Sequence, residues 1–270
     1  MCILFIYRNP DSNPESYRLI VASNRDEHFK RPTLVAQYWK NHPECLGGVD
    51  MEPGKEGGTW LALSLKGKAG VVLNLPGEES AFATPKKGRG SLVPDFITSN
   101  DSAVSYLNKL HKENKSSQPY NPYNLILINL YNANVNCLSS STKSIGPSTT
   151  QDAISGFSNS DFDIPFKKVE EGKEKFKSIV MNATVSEQAD LIEKLLTFLK
   201  SKERYLPDPV LQRRSAKYEE LSSIFISGIE YCTRTHSILL IKGNNEITFV
   251  EETLMPDLTW KRQTFSNNLI

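Results

Sequence analysis

The stretch MCILFIY (residues 1–7), followed by YRLIVASNRDEHFKRPT (residues 17–33), decides the fold of this chain. Both begin with apolar runs of strand length, and the intervening NPDSNPES (residues 9–16) is made of turn residues. The sequence therefore predicts a β-hairpin that begins at Cys2. Because the side chain at position 2 is small, we expect Met1 to be removed, so that a thiol and a free α-amine share one residue.

Other apolar runs predict the remaining strands. They are TWLALSL (59–65), AGVVLN (69–74), YNLILINLY (123–131), NVNCLSS (134–140), SSIFISG (222–228), HSILLIKG (236–243) and EITFVEE (246–252). The first two flank KGK (66–68), which predicts a second hairpin, and the last two flank a GNN turn, which predicts a terminal one.

Helical periodicity occurs in separate blocks. Residues 91–111 predict a helical region whose second part is capped by Asn100 or Asp101, and residues 165–180 and 186–200 predict two amphipathic helices, the second capped by Ser186. Hairpins with helices gathered in blocks indicate an α+β fold of antiparallel sheets with helices outside, and not the strict alternation of a doubly wound fold. We expect residues 1–270 to form a single domain.

Composition limits the possible partners. The 270 residues contain 32 Lys and Arg against 31 Asp and Glu, without a long block of one sign, which argues against a nucleic-acid interface. No run of about 18 apolar residues predicts a membrane span, and no targeting segment is evident, so we expect a cytoplasmic protein. The four cysteines lack CxxC spacing, which predicts reduced thiols and no metal site.

A cysteine at the N-terminus has a chemical logic. The thiolate is a nucleophile, and an α-amine with an ordinary pKa of about 7.7–8.0 can take the proton of the thiol. One residue then holds both nucleophile and base. The alternative is that Cys2 is a small apolar residue at the start of a strand.

A charged run ends the second strand of the first hairpin. It consists of Asn24, Arg25, Asp26 and Glu27. Because antiparallel strands bring this end back beside Cys2, an acid here can hold the ammonium group. The alternative is an ordinary solvated turn.

The chain resembles a known family in several long motifs that occur in order. They are MCILFIY (1–7), YRLIVASNRDEHFKRPT (17–33), GGVDMEPGKEGGTWLALSLKGKAGVVLN (47–74), GFSNSDFDIPFKKVEEGK (156–173) and YCTRTHSILLI (231–241). On these motifs it is identified as a member of the NRDE family, which takes its name from the run at residues 24–27. The resemblance covers nearly the whole chain.

That family resembles in turn the N-terminal-nucleophile hydrolases, whose fold is an αββα sandwich of four layers. The resemblance implies roles for five residues. Cys2 would be the nucleophile and Asp26 the acid that orients its amine; Asn74 would be a polar group on the substrate side, Asn159 an oxyanion donor and Arg234 a supporting cation.

One position departs from the hydrolase pattern. Those enzymes carry an arginine three residues before the aspartate, where this chain has Ser23, and the nearby cation is Arg25, adjacent to the acid. Neighbours on a strand point to opposite faces, so we do not expect the side chains of Arg25 and Asp26 both to face Cys2.

The resemblance implies a function in haem trafficking, in lipid and acyl-coenzyme A homeostasis and in the organisation of the Golgi apparatus, with cytoplasmic, mitochondrial or Golgi-associated pools. The expected partner is an amphiphilic small molecule, and no established enzymatic activity comes with the family. The alternative is an N-terminal cysteine hydrolase that acts on a linear amide or an acyl thioester.

Two sets of residues are candidates for binding such a molecule. An axial haem ligand would be a His or Cys, here His28, His42, Cys45 or His236. For coenzyme A, TPKKGRG (84–90) places Lys86, Lys87 and Arg89 before a predicted helix, where cations and backbone N–H groups suit phosphates. The alternatives are ordinary core or surface histidines and a solvated basic loop.

Overall fold

A computed structural model describes residues 1–76, 86–141 and 143–270. The chain divides into two compact units. The first comprises Met1–Arg31 with Asp152–Leu269, and the second comprises Pro32–Gln151 with Ile270.

The elements are numbered in chain order. The strands are β1 (Ile3–Arg8), β2 (Tyr17–His28), β3 (Thr33–Trp39), β4 (His42–Asp50), β5 (Leu61–Ser64), β6 (Lys68–Asn74), β7 (Tyr123–Asn129), β8 (Asn134–Ser139), β9 (Ser148–Thr150), β10 (Ile154–Ser158), β11 (Tyr231–Lys242), β12 (Glu246–Leu254) and β13 (Trp260–Asn268). The helices are α1 (Leu92–Thr98), α2 (Ala103–Ser116), α3 (Lys167–Val180), α4 (Gln188–Leu199), α5 (Pro209–Arg214) and α6 (Tyr218–Leu221).

The first unit contains a six-stranded sheet in the order β10-β1-β2-β11-β12-β13, in which every neighbouring pair is antiparallel. The predicted first hairpin is confirmed, with Ile3 opposite Asn24 and Arg8 opposite Leu19. Since β10 pairs with the other side of β1, the N-terminal end of β1 lies between two neighbouring strands.

Helices α3 and α4 cover one face of this sheet. Alternate strand residues such as Ile3, Phe5 and Ala22 share an apolar core with the helical residues Phe176 and Leu195. The helix α3 approaches β1 closely at Gly172, where a Cβ atom would lie 2.6 Å from the ring of Phe5. A glycine is therefore required at this contact.

The second unit contains a seven-stranded antiparallel sheet in the order β3-β4-β5-β6-β7-β8-β9. Helices α1 and α2 share a core with it, in which Phe96 and Leu107 pack with Leu125 and Leu138. Each unit thus supplies one sheet and one helical layer, the components of the predicted α+β class.

Several local predictions were wrong. The cap of α2 is Ser102, whose side chain accepts a hydrogen bond from the N–H of Ser105, instead of Asn100 or Asp101. Ser186 lies inside a 3-10 turn that precedes α4, so it does not cap that helix. Residues 222–228 were predicted as a strand but form none; Ser223 makes an isolated β-bridge with Arg204.

The terminal hairpin was predicted from β11 and β12, but β13 follows it and forms the edge of the sheet. Its sequence, WKRQTFSNN, is polar and mostly exposed, so it lacks the apolar signal of a strand.

Among the described residues, no helix is long and apolar enough to cross a bilayer.

A two-faced candidate site at the N-terminus

The candidate site lies at the N-terminal end of β1. The register pairs Ile3 with Asn24 on β2 and with Ser158 on β10. Continued by one residue, it places Cys2 between Arg25 and Asn159. Because strand residues alternate, these three side chains belong to one face of the sheet, here called the thiol face. Met1 and Asp26 belong to the opposite, helix-covered face, here called the amine face.

On the amine face, Asp26 is buried and pairs with the N-terminal amine. Its Oδ2 lies 3.0 Å from the nitrogen of Met1, and its Oδ1 accepts a hydrogen bond of 2.6 Å from the hydroxyl of Thr233. The amine also donates to the hydroxyl of Tyr231. Asp26 thus pairs with the amine of Met1, and its predicted role towards the amine of Cys2 stays a prediction.

A buried lysine completes the amine face. Lys168, on the first turn of α3, is fully buried and donates to the carbonyl of Ser223 at 3.0 Å and to that of Met1 at 3.4 Å. Burial lowers the pKa of both Lys168 and the Met1 amine, while Asp26 opposes this for both groups. Two amines therefore share one buried carboxylate.

On the thiol face, the sulfur of Cys2 is held by the backbone of Asp26. The N–H of Asp26 donates to Sγ at 3.4 Å, and Sγ donates to the carbonyl of Asp26 at 3.7 Å. The Ser158 hydroxyl donates to the Cys2 carbonyl at 2.6 Å and fixes the backbone on the other side. Burial raises the pKa of the thiol, opposed by the nearby N-terminal amine and by Arg25. The thiol is therefore protonated at neutral pH.

The departure at Ser23 is explained by this alternation. Ser23 and Arg25 lie two residues apart on β2, so they belong to the same face. Arg25 acts on the Cys2 thiol from that face, while Asp26 pairs with the amine on the other. The expectation that Arg25 and Asp26 point to opposite faces agrees with this geometry.

Arg234 lies at an irregularity of β11, where Thr233 is opposite Asp26 and Thr235 is opposite Arg25. Its Nη1 donates to the carbonyls of His28 and Arg31, and its side chain is 5 % exposed. These contacts fix Arg234 beside the end of β2. Its role as a supporting cation for Cys2 stays a prediction.

The two predicted asparagines differ in position. Asn159 follows β10 directly, is buried, and its carbonyl accepts a hydrogen bond of 2.7 Å from Arg214. Asn74 ends β6 opposite Tyr123 and is exposed within the second unit. The chemical roles of both stay predictions.

Sequence reasoning missed a second polar contact on the amine face. The amide of Asn24 donates to the carbonyls of Leu199 and Ile224, and its oxygen lies 2.6 Å from Nδ1 of His236. His236 is fully buried and stacks on Trp260 at 4.7 Å. Burial lowers its pKa to about 4, so it is a neutral donor to Asn24.

The candidate haem ligands are divided between the two units. His28 is exposed at the end of β2, and its ring contacts that of Tyr231 at 5.4 Å. His236 is enclosed, whereas His42 and Cys45 belong to β4 of the second unit. In the part of the chain that the structure describes, no three His, Cys, Asp or Glu side chains group as a metal site.

The predicted basic loop lies partly outside the described residues, since the structure describes none of residues 77–85. Lys86, Lys87 and Arg89 all contact the segment 118–122 of the second unit. The helix that follows, α1, has only seven residues. Coenzyme A binding by these three cations stays a prediction.

Comparison with solved structures defines the class of fold. Two structures of variants of conjugated bile acid hydrolase from Clostridium perfringens superpose with TM-scores of 0.53 and 0.51 at 9% identity. They cover 100% and 99% of this chain, which corresponds to 92% and 98% of theirs. The chain therefore has the α+β fold of the N-terminal-nucleophile hydrolases, as predicted.

Sequence comparison then defines the family. The profile described as Transport and Golgi organisation 2 matches residues 1–256. The chain is 36% identical over 264 residues to Transport and Golgi organization protein 2 of Drosophila melanogaster, which covers 94% of this chain and 92% of the relative. It is 34% identical over 281 residues to the homolog of Mus musculus, with 100% and 99% covered. The chain belongs to the Transport and Golgi organisation 2 family, which confirms the predicted NRDE membership.

Proposed function

We propose that this protein binds and transfers an amphiphilic small molecule, haem in the first place, at the site around Cys2. One observation carries the proposal: the Cys2 sulfur is held by the backbone N–H of Asp26, and burial keeps its thiol protonated. Since the thiolate is the nucleophile, a protonated thiol suits a binding site better than a hydrolytic one. The names of the relatives, which refer to transport and Golgi organisation, agree with a carrier.

The position of His28 favours haem as the cargo. An axial ligand that must release its haem has to be accessible, and His28 is exposed. Its ring contacts Tyr231, whose hydroxyl accepts a hydrogen bond from the Met1 amine, so His28 lies next to the candidate site. Acyl-coenzyme A is the other cargo of this class, through which the protein would act in lipid homeostasis.

A haem titration tests this proposal. Wild-type protein is titrated with ferric haem and the Soret absorption is followed, with His28→Ala as the variant and His111→Ala as a control at a half-buried histidine that is not a candidate ligand. We expect His28→Ala to weaken binding at least about tenfold and His111→Ala to leave it unchanged. Identical binding by His28→Ala would contradict ligation by His28, and competition by acyl-coenzyme A would show that both cargoes share the site.

A second candidate is hydrolysis after removal of Met1. The observation that favours it is the Asp26 carboxylate, which already holds an N-terminal amine beside the Cys2 sulfur. On a chain that begins at Cys2, the amine would take the thiol proton while Sγ attacks an amide or thioester carbonyl. The leaving amine or thiol takes that proton back, and water then releases the acyl group from sulfur. Loss of an oxyanion donor such as Asn159 would cost about 3 kcal/mol of barrier.

Intact mass and turnover separate the two candidates. We expect amide substrates to remain uncleaved by the wild-type protein. A mass without Met1, together with turnover that disappears in Cys2→Ala, would give hydrolysis priority over transfer.

We also propose that the protein works in the cytoplasm, with Golgi-associated or mitochondrial pools, because an amphiphilic cargo is exchanged at membrane surfaces. Cell fractionation with an antibody to the native protein tests this. A signal confined to the lumen of the secretory pathway would contradict it.

A further inference from the structure

The helix α5 holds the segment between β10 and α3 at both of its ends. At the start of α5, the carboxylate of Asp208 accepts a hydrogen bond of 2.8 Å from the N–H of Lys167, the first residue of α3. The same carboxylate accepts a hydrogen bond of 2.9 Å from the N–H of Leu211 and so caps α5 itself. Because Asp208 is buried, this junction is fixed inside the first unit.

At the other end of α5, Arg214 reaches the residue that follows β10. Its Nη1 donates a hydrogen bond of 2.7 Å to the carbonyl of Asn159, and its guanidinium group lies over the ring of Phe166, 5.3 Å from the centroid. Its Nη2 is 3.9 Å from the carboxylate of Asp161. A guanidinium group suits this position because its planar donors can serve two acceptors while its face packs on an aromatic ring. Residues 159–166 are therefore tied to α5 at both ends.

This segment begins beside Cys2. The hydroxyl of Ser158, the last residue of β10, donates to the Cys2 carbonyl at 2.6 Å, and the β1–β10 register continued by one residue sets Asn159 across from Cys2 on the thiol face. Asn159 and Ser160 lie outside any strand and are nevertheless buried. A buried segment outside the ladder of a strand depends on other contacts for its hydrogen bonds and its position. Arg214 supplies one such contact to Asn159 from outside the sheet.

We propose that Arg214 is a positioning residue of the Cys2 site, which fixes Asn159 beside the thiol through the hydrogen bond to the Asn159 carbonyl. This deepens the proposed function and rests on it in one respect, that the surroundings of Cys2 form the ligand site. Because the donor is charged, the hydrogen bond is stronger than one between neutral groups. When it is lost, the segment at Asn159 can move away from the thiol, and Cys2 becomes more accessible.

Alkylation of Cys2 by iodoacetamide tests the proposal without any cargo. The reaction is read by mass at each cysteine of the full chain, and Cys232, which is buried in the same unit, reports any general opening of the fold. The variant is Arg214→Gln, and the matched control is Arg213→Gln, at the exposed arginine one residue earlier in α5. Arg214→Lys is the conservative variant, because it keeps a charged donor.

We expect Arg214→Gln to accelerate the alkylation of Cys2 about tenfold, because a charge-assisted hydrogen bond no longer holds the closed state. Arg213→Gln should leave the rate unchanged. Arg214→Lys should return the rate to within about threefold of wild type, since a charged donor can again reach the Asn159 carbonyl. Alkylation of Cys232 should stay slow in all three variants.

Three results would overturn the proposal. They are a Cys2 rate in Arg214→Gln equal to that in Arg213→Gln, a parallel rise at Cys2 and Cys232, and a Cys2 rate in Arg214→Lys as high as that in Arg214→Gln.

Hydrogen exchange of the wild-type protein decides the matter if Arg214→Gln does not fold, as judged by circular dichroism. The amides of residues 159–161 should exchange as slowly as those of β10. Exchange as fast as that of the exposed residues 227–230 would contradict positioning by Arg214. Because no haem and no hydrolysis enter these measurements, failure of the proposed function leaves their outcome unchanged.

Discussion

The two faces of one sheet differ sharply at residues 1 and 2. On the amine face, Asp26 is enclosed by the Met1 amine, Thr233 and Lys168, so its charge is neutralised inside the protein. On the thiol face, the Cys2 sulfur is held by the backbone of Asp26, and the continued register sets Arg25 across from Cys2. The amine face is therefore a closed network, whereas the thiol face is the one that we propose as the ligand site.

Strand alternation produces this division within a single motif. Asn24 and Asp26 point to the helices, where Asn24 contacts α4 and His236 and Asp26 contacts the N-terminal amine. Arg25 and Glu27 point the other way and pair with each other. The four-residue run therefore supplies two alternating pairs of side chains, one to each face of the sheet.

The largest loss of stability should follow from removing the carboxylate of Asp26 on the amine face. Asp26→Asn leaves the Met1 amine and Lys168 without a counter-charge in a buried position. Removing one partner of a buried pair typically costs about 3–5 kcal/mol, so we expect a loss of that size in the free energy of unfolding. Chemical denaturation measures it. A loss below about 1 kcal/mol would mean that the network on the amine face does not depend on the carboxylate of Asp26.

Stability against pH tests the neutral histidine of the same face. The folded pKa of His236 is lowered to about 4 by burial, whereas the unfolded value is about 6.5. A lowered folded pKa gives stability that is fully present above pH 6.5 and is lost as pH falls towards 4, by about 3 kcal/mol at pH 4. The charged groups near His236 are Glu252, Lys200 and Asp26, of which Glu252 opposes the shift most.

Denaturation at several pH values, compared between wild type and His236→Gln, isolates this contribution from that of the acids. We expect His236→Gln to be less stable at pH 7 but to lose less stability on acidification. Curves that stay parallel from pH 7 to pH 4 would show that His236 is not held neutral.

Replacing the buried Lys168 should reduce stability less than replacing Asp26, and it should also change the pKa of the Met1 amine. Lys168→Met leaves the carbonyls of Ser223 and Met1 without their donor, at a cost of about 1–3 kcal/mol. Because the charge of Lys168 lowers the pKa of the Met1 amine, the same change should raise that pKa. The pH dependence of N-terminal acylation, read by mass, measures it. Lys177→Met, at an exposed position of α3, is the control, and an unchanged amine pKa in Lys168→Met would contradict a shared carboxylate.

Much of the fold around Cys2 could be predicted from the sequence, and the features that could not be predicted have physical reasons. The hairpin, the helix blocks and the approach of residues 24–27 to Cys2 follow from apolar periodicity and turn residues, and all were found. The opposition of Arg25 and Asp26 follows from alternation along a strand. Alternation does not reveal which face of the sheet is covered by helices, because that depends on how α3 and α4 pack.

Other elements carried weaker signals. Lys168 was not predicted, although it shares a stripe with Gly172, Phe176 and Val180 at four-residue spacing, a signal that indicates a lysine on an apolar face. By contrast, the partnership of Asn24 with His236 joins residues 212 positions apart, and only the pairing of β2 with β11 brings them together. Polar edge strands such as β13 escape detection because their stability comes from pairing and not from burial.

The smallest effect on stability should come from the thiol face, and this sharpens the comparison. Glu27→Gln removes a carboxylate that is 18% exposed and pairs with Arg25 and Arg31 at 3.6 Å. Ion pairs of this kind contribute less than about 1 kcal/mol, so the free energy of unfolding should barely change. The positive charge beside Cys2 should rise, however. Alkylation of Cys2 by iodoacetate, which carries a carboxylate, should therefore become about twofold faster relative to alkylation by the uncharged iodoacetamide, as read by mass. A variant with unchanged stability and altered anion preference would show that Glu27 adjusts a ligand site, whereas a large stability loss with no change in the ratio would place Glu27 in the structural network with Asp26.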